Sequence, residues 1–362
     1  MKKYKCIIIN GRFLAQKITG VQRYALETVK ELDKIASQLP LSTILAVPGD
    51  SNINYINLKS IKISIVGKLS GIKWEQIELA NFIRKNNALG LHLCNSIPLI
   101  SPKGIVCIHD ITYKINPQFI TTKQLKMTRL WNLLQYRIGL KKSIHIFTVS
   151  EFSKKQICET YGIHKNKITV AYNGWQHFNT ELQSNDSLDS YPMLKEKNYY
   201  FSLSTMAKNK NFSWIVESAM KNPNSTYAIA GNIDIKKLGN TLEKNPPKNL
   251  YCLGYINDND AKILMKHCKA FLFPSLYEGF GIPPLEAMAM GAKVICSNAS
   301  CLPEIFEDSV YYINPNNPNI NLDELLDKNI SSASKILEKY SWKKTAEIYK
   351  NELLKIINNN SI

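Results

Sequence analysis

Two doubly wound α/β domains are the fold class this chain predicts, and three features carry that expectation. Short apolar runs rich in β-branched and aromatic residues alternate with amphipathic helical stretches from end to end, as parallel sheets covered by helices on both faces require. At 362 residues the chain exceeds the usual size of one hydrophobic core, so two domains are expected. Regularity lapses over residues 173–198, where polar and turn-forming residues crowd together without a period. The expected division is a first domain over 1–172, a connection over 173–198, a second domain over 199–338 and a last helix within 339–362.

In the first domain the strand candidates are Tyr4–Ile9, Thr43–Val47, Ile61–Val66, Leu89–Cys94, Gly104–His109, Ile144–Val149 and Ile168–Ala171. Each is apolar and too short for a stable helix. Between the first two, Val21, Tyr24, Ala25, Thr28, Val29 and Leu32 keep the spacing of one helix face. Ile77 through Phe82 and Leu125 through Leu140 read the same way. The second domain repeats the alternation with strands at Tyr199–Ser204, Tyr227–Ala230, Leu250–Leu253, Ala270–Phe273, Lys293–Ser297 and Val310–Ile313. The closing SWKKTAEIYKNELLKII is one more amphipathic helix.

Composition excludes several classes. With 44% hydrophobic residues the chain is an ordinary globular protein, neither collagen-like nor disordered. The apolar run Cys6 to Ile9 is too short for the core of a signal peptide, so the mature protein is expected to begin here. No stretch approaches the roughly 20 apolar residues of a membrane-spanning helix. The eight Cys contain no C-x-x-C pair, as expected of reduced thiols in cytosol. They show no metal spacing with the six His, and no Walker loop, G-x-G-x-x-G or G-x-S-x-G is present. Asp258, Asn259 and Asp260 suggest a metal-holding D-x-D, but they immediately precede a helical pattern and read as a cap.

Charge is uneven. Residues 1–172 hold 26 Lys and Arg against nine Asp and Glu, and the remainder holds 20 of each, so the whole excess of +17 lies in the first half. That half is expected to meet something anionic. Nucleic acid is not the expected partner, because stacking aromatics and recognition motifs are missing.

The chemistry is concentrated in Phe273 to Asn298, FPSLYEGFGIPPLEAMAMGAKVICSN. A buried strand runs into a loop with two glycines around Phe280, and Pro283 and Pro284 open a helix. Free N–H groups of that first turn and the helix dipole suit a diphosphate. Glu278 lies in the loop. Glu286 is expected in the first turn, where complementing the dipole is its alternative role.

EGFGIPPLEAMAMG resembles the signature of the retaining glycosyltransferases of family four, with two glutamates separated by seven residues. TGVQRYALETVKEL, HDITY, VSEFSKKQI, NASCLPEIFEDSVYYINPNN and SWKKTAEIY extend the resemblance over nearly the whole chain. It implies the GT-B architecture of two facing Rossmann-like domains, with the active site in the cleft between them and the last helix crossing back to the first domain. It gives Glu286 the nucleotide ribose and puts Glu278 beside the transferred sugar, with the N–H groups of Gly279, Phe280 and Gly281 near sugar and diphosphate. A carboxylate there suits an oxocarbenium-like transition state.

The chain departs from the family in LSTMAKNKNF, where Asn209 replaces an arginine. Lys210 with Asn211 fits the family's Lys-Asn pair, and Lys210 and, after it, Lys208 are the phosphate candidates, the alternative being a solvated lysine pair before the helix FSWIVESAM. In the first domain the resemblance brings Gly20 to the donor and His109 to the transferred sugar. Asp110 is an acceptor-side carboxylate or a turn cap, Arg23 faces acceptor or solvent, and Ser150 with Glu151 reads as a helix cap.

The resemblance is to bacterial mannosyltransferases of surface-polysaccharide assembly. It implies GDP-mannose as donor, a polyprenyl-diphosphate-linked oligosaccharide of O-antigen or capsule as acceptor, no cofactor and no essential metal. Other GDP-, UDP- or dTDP-sugars, a soluble acceptor, a GT-B epimerase or phosphorylase, and a basic binding protein are the alternatives. In TTKQLKMTRLWNLLQYRIGLKK, a helix at 100° per residue gathers Lys123, Lys126, Arg129, Arg137 and Lys141 within about a third of its circumference. With Trp131, Leu134 and Tyr136 they form a face suited to an anionic membrane surface. A cytoplasmic protein peripheral on the inner face of the membrane is expected, the alternative being a helix packed on its sheet with lysines in water.

Overall fold

The computed structural model describes residues 4–54, 56–100, 104–179, 187–195, 198–205, 207–231 and 247–359. The chain forms two compact units, Met1–Gly174 with Ser341–Ile362, and Trp175–Tyr340.

The first unit is built on a parallel sheet of β1 (Cys6–Asn10), β2 (Ser42–Val47), β3 (Lys62–Ile65), β4 (Leu89–His92), β5 (Ile105–Cys107), β6 (His145–Thr148) and β7 (Ile168–Val170), in the order 3-2-1-4-5-6-7. Ile7, Ile8 and Ile9 are fully buried, because helices cover both faces and the strand needs no polar side. Helix α1 (Gly20–Ile35) starts on a capping box of Thr19 and Gln22. The helical stretches α2 (71–85) and α3 (123–142) each contain a π-helical turn, at Trp74–Leu79 and Gln135–Gly139. In α4 (Glu151–Tyr161), Ser150 Oγ accepts from the Ser153 N–H at 3.1 Å, which bears out the cap reading of Ser150.

The second unit carries β8 (Tyr199–Leu203), β9 (Thr226–Ala230), β10 (Leu250–Gly254), β11 (Ala270–Phe273), β12 (Val294–Ser297) and β13 (Tyr311–Ile313), all parallel, in the order 10-9-8-11-12-13. Its main helices are α5 (Phe212–Lys221), α6 (Asp258–His267) and α7 (Ile282–Ala289). Tyr200, Tyr227, Ile229, Leu272, Ile295, Trp214 and Ile215 form the core between sheet and helix. Every strand of both sheets falls on an apolar run named above.

The segment read as the connection is not featureless. Trp175 Nε1 donates to Leu337 O at 2.9 Å, Gln176 Nε2 donates to Tyr340 O at 3.2 Å, and Phe178 is buried, so 175–179 pack with the second unit. Residues 180–186 and 196–197 of it lie outside the described residues. The final helix α8 (Trp342–Asn359) packs in the first unit. Tyr349 stacks on Phe147 with centroids 3.9 Å apart, and its hydroxyl lies 3.1 Å from that of Tyr24.

Two buried histidines make stability depend on pH. On β4, His92 is fully buried and neither ring nitrogen has a hydrogen-bond partner among the described residues. Burial lowers its pKa to about 3. Burial likewise lowers that of His109 to about 4, against a smaller opposing effect of the Leu93 carbonyl. Both are neutral in the folded protein, whereas the unfolded chain takes up protons below about pH 6.5. Their contribution is therefore complete above that pH and is lost as pH falls toward 4, by roughly 1.4 kcal/mol per histidine per pH unit. Melting temperature is expected to drop from pH 7 to pH 5, and His92→Leu to remove about half of the slope that this pair causes. A melting temperature constant over that range contradicts the account.

Candidate active site

Ligands of open α/β sheets bind beyond the carboxyl ends of strands, at the point where strand order reverses. In the second sheet that point lies between β8 and β11. The loops leaving these two strands are laced together. Asn209 O accepts from the Leu276 N–H at 2.7 Å and Asn209 Nδ2 donates to Tyr277 O at 3.0 Å. Asn211, left-handed at φ 58°, donates from Nδ2 to Pro274 O at 3.0 Å and to Pro315 O at 2.8 Å. Asn209, the departure from the family pattern, therefore holds the glycine loop in place, and the amide of Asn211 is spent on the same task.

On this frame Lys210 Nζ lies 2.6 Å from Glu278 Oε1. The lysine side chain is 21% exposed and the glutamate 11%, so the pair is reachable from solvent yet mostly shielded. Sequence reasoning named both residues and missed that they meet. The Glu278 N–H donates to Ser300 Oγ at 3.0 Å. Lys208 is exposed in the same short turn as Lys210.

Gly281 has φ 94°, and a Cβ there would stand 2.8 Å from Leu302 Cδ2, so both backbone and space require glycine. The Phe280 ring is buried edge-on to Tyr340, with centroids 5.4 Å apart. Gly279 is buried, and what these three residues have to offer a ligand is their backbone.

Two expectations about α7 are corrected. The helix begins at Ile282, so Glu286 is its fifth residue, past the first turn, and complementing the dipole does not explain it. Pro283 and Pro284 have no N–H, which leaves the first turn fewer donors for an anion than a helix start ordinarily has. Glu286 Oε1 instead accepts from His177 Nε2 at 2.8 Å, with the two side chains 12% and 3% exposed. His177 went unnoticed in sequence because it lies within the aperiodic stretch, 109 residues away.

In the first unit His109 follows β5. Its Nε2 lies 2.9 Å from Leu93 O, which only accepts, so Nε2 carries the proton and Nδ1 the lone pair. The ring stands edge-on to Tyr24 at 4.7 Å. Asp110 Oδ1 accepts from the Thr112 N–H at 2.8 Å, the turn-cap alternative. Gly20 is exposed at the first position of α1, and Arg23 Nη1 lies 3.8 Å from Glu27 Oε1. In α6, Asn257 Oδ1 accepts from the Asp260 N–H at 2.9 Å, and Asp258 and Asp260 occupy the first turn, so D-N-D serves the helix start.

The basic face of α3 is smaller than the sequence suggests. Lys123, Lys126, Arg137 and Lys141 are exposed. Arg129 is turned inward, donating from Nε to Tyr113 O at 2.9 Å. Tyr136 is buried in the core. The wider π-helical turn at Gln135–Gly139 breaks the 100° count, so one face does not run through it. The exposed apolar residues are Met127, Leu130 and Leu134, at 75%, 72% and 40%.

The family model described as Glycosyltransferase Family 4 matches residues 18–176, and that described as Glycosyl transferases group 1 matches residues 185–343. The chain is 25% identical over 329 residues to the O-antigen chain mannosyltransferase RfbU of Salmonella typhimurium, covering 85% of this chain and 87% of that one. It is 47% identical over 64 residues to O-antigen chain mannosyltransferase B of Escherichia coli, covering 18% and 17%. Among solved structures, that of Anabaena HepE in complex with UDP and glucose superposes with a TM-score of 0.72 at 16% identity, covering 97% of this chain and 99% of that one. With two parallel-sheet domains of this topology and both family models matched in order, the chain belongs to the glycosyltransferases of family four and has the GT-B fold.

Proposed function

We propose that the protein moves a mannosyl residue from GDP-mannose to a hydroxyl of a lipid-linked oligosaccharide, with retention of configuration, in the assembly of a bacterial O-antigen or capsule. The bond from the anomeric carbon to the diphosphate breaks with its electron pair going to the departing diphosphate, a bond from that carbon to the acceptor oxygen forms, and the hydroxyl proton is taken up by the departing diphosphate or by water. The observation that carries the reading is the Lys210–Glu278 pair at the point where the second sheet reverses its order. A bound diphosphate competes with Glu278 for the ammonium. Once Lys210 turns to phosphate, the freed carboxylate faces the charge developing on the sugar. Mannose rests on the mannosyltransferases to which the chain is similar.

A thermal-shift screen of GDP, UDP, dTDP, ADP and CMP tests the donor, since a ligand held by the native state alone raises the melting temperature. GDP is expected to give the largest shift. A larger shift with UDP, the nucleotide bound in the HepE structure, favours a UDP-sugar donor instead. No divalent ion is needed in this reading, because Lys210 and backbone donors meet the diphosphate. Activity is therefore expected to survive chelator, and loss that manganese restores overturns this part.

The same reading includes peripheral docking of the first domain on an anionic membrane. It is supported by exposed Met127, Leu130 and Leu134 beside Lys123 and Lys126 on α3. No helix among the described residues is long and apolar enough to cross a membrane. Flotation with anionic liposomes is expected to weaken with salt and with Lys123→Glu, Lys126→Glu and Leu130→Ser combined. Equal flotation with neutral and anionic liposomes at low salt rejects the docking.

A further inference from the structure

The first sheet reverses its order between β1 and β4, and a polar cluster is built there. Glu75 is fully buried, yet it accepts from Asn10 Nδ2 and from Ser96 Oγ, each at 2.6 Å, and pairs with Arg12 Nη1 at 2.9 Å. Asn10 ends β1, Arg12 follows it, and Ser96 lies in the loop leaving β4. The Arg12 side chain is 13% exposed, against 5% for Asn10 and 5% for Ser96, so Arg12 is the member of the cluster most open to solvent, and its Nη2 also donates to Ser96 Oγ at 3.4 Å. Apolar residues would fill this space as well as a buried ion pair does, which directs attention to what the guanidinium does there.

Both π-helical turns of this unit serve the same loop. From Trp74–Leu79, besides Glu75, Gln76 donates to Ile97 O at 3.3 Å and accepts from the Leu99 N–H at 2.8 Å. From Gln135–Gly139, Gln135 Oε1 accepts from the Ile97 N–H at 3.1 Å. Such turns are rare and concentrate at functional sites. The loop in turn touches the residues already in view: Asn95 Oδ1 accepts from the His109 N–H at 2.7 Å, and Cys94 Sγ lies 3.8 Å from Val21 O in the first turn of α1.

We propose that Arg12, aimed by the positioning residue Glu75, binds carbohydrate by donating hydrogen bonds to the hydroxyls of a sugar at the carboxyl end of β1. Glu75 cancels the positive charge, so the cluster offers fixed N–H donors without the net charge that would select a phosphate. That this sugar belongs to the acceptor rests on the proposed function; the binding itself does not.

The test is saturation-transfer NMR with the methyl α-glycosides of mannose, glucose, galactose and N-acetylglucosamine. The proteins are the wild type, Glu75→Gln, and the double variant Arg12→Met with Glu75→Gln, which leaves no unpaired buried charge. Melting temperature and circular dichroism establish that each variant is folded. At least one glycoside is expected to bind the wild type, with affinity roughly tenfold or more lower in the double variant and lowered in Glu75→Gln. The proposal is overturned when no glycoside binds the wild type, when folded variants bind as it does, or when nucleoside-diphosphate affinity falls in place of glycoside affinity. Hydrolysis of GDP-mannose is followed in parallel. Glycoside binding without donor turnover keeps this proposal and rejects GDP-mannose as the donor, and donor turnover with glycoside binding unchanged in the variants does the reverse.

Discussion

Glu278→Gln is expected to lower turnover roughly 100- to 1000-fold, the usual consequence of removing one group that meets charge developing in a transition state. Nucleoside-diphosphate affinity should not fall and is expected to rise by up to about threefold, since in the proposed reading the phosphate no longer has to displace a carboxylate from Lys210. The amide keeps the size of the side chain and the Glu278 main-chain bond to Ser300 Oγ, so the loop is retained. Lys210 then loses its partner, but at 21% side-chain exposure it has access to water. Single-turnover kinetics with saturating donor separate the two quantities. Unchanged single-turnover rate in the variant removes Glu278 from the chemistry.

Glu286→Ala is expected to act in the opposite way, weakening nucleoside-diphosphate binding by about 1.5–3 kcal/mol, roughly 10- to 150-fold, with a smaller effect on the rate of the bound complex. The magnitude is that of hydrogen bonds to a charged acceptor, in the proposed reading from the ribose hydroxyls. His177 Nε2, 2.8 Å from Oε1, restricts the carboxylate to one orientation. His177→Phe should therefore reproduce part of the loss. Calorimetric titration with the nucleoside diphosphate measures both. Equal losses of nucleotide affinity in the Glu278 and Glu286 variants, with turnover per bound complex unchanged, reject the division of roles.

Much of the fold is written locally. A strand buried on both faces must be a short apolar run, and Ile7 to Ile9 or Phe271 to Phe273 have no other reading between polar loops. Helix starts are as local, as Thr19 with Gln22 and Ser150 show. The two glutamates are visible for a related reason: a strand, a glycine loop and a helix start are contiguous, so the segment that carries these two candidate residues also carries its own scaffold.

The partners of those residues are not contiguous. Lys210 reaches Glu278 across 68 residues, His177 reaches Glu286 across 109, and Asn10 reaches Glu75 across 65. Each meeting depends on which strands become neighbours and on the direction in which a side chain leaves its element. Neither is recorded in the spacing of adjacent residues. The same limit applies within α3, where an angular count holds only for a uniform helix and does not show that Arg129 turns to Tyr113 O or that Tyr136 is buried. Residue type and period thus specify the elements and the motif they carry, whereas charge pairing across each sheet's point of reversal arises only once long-range packing has ordered the strands.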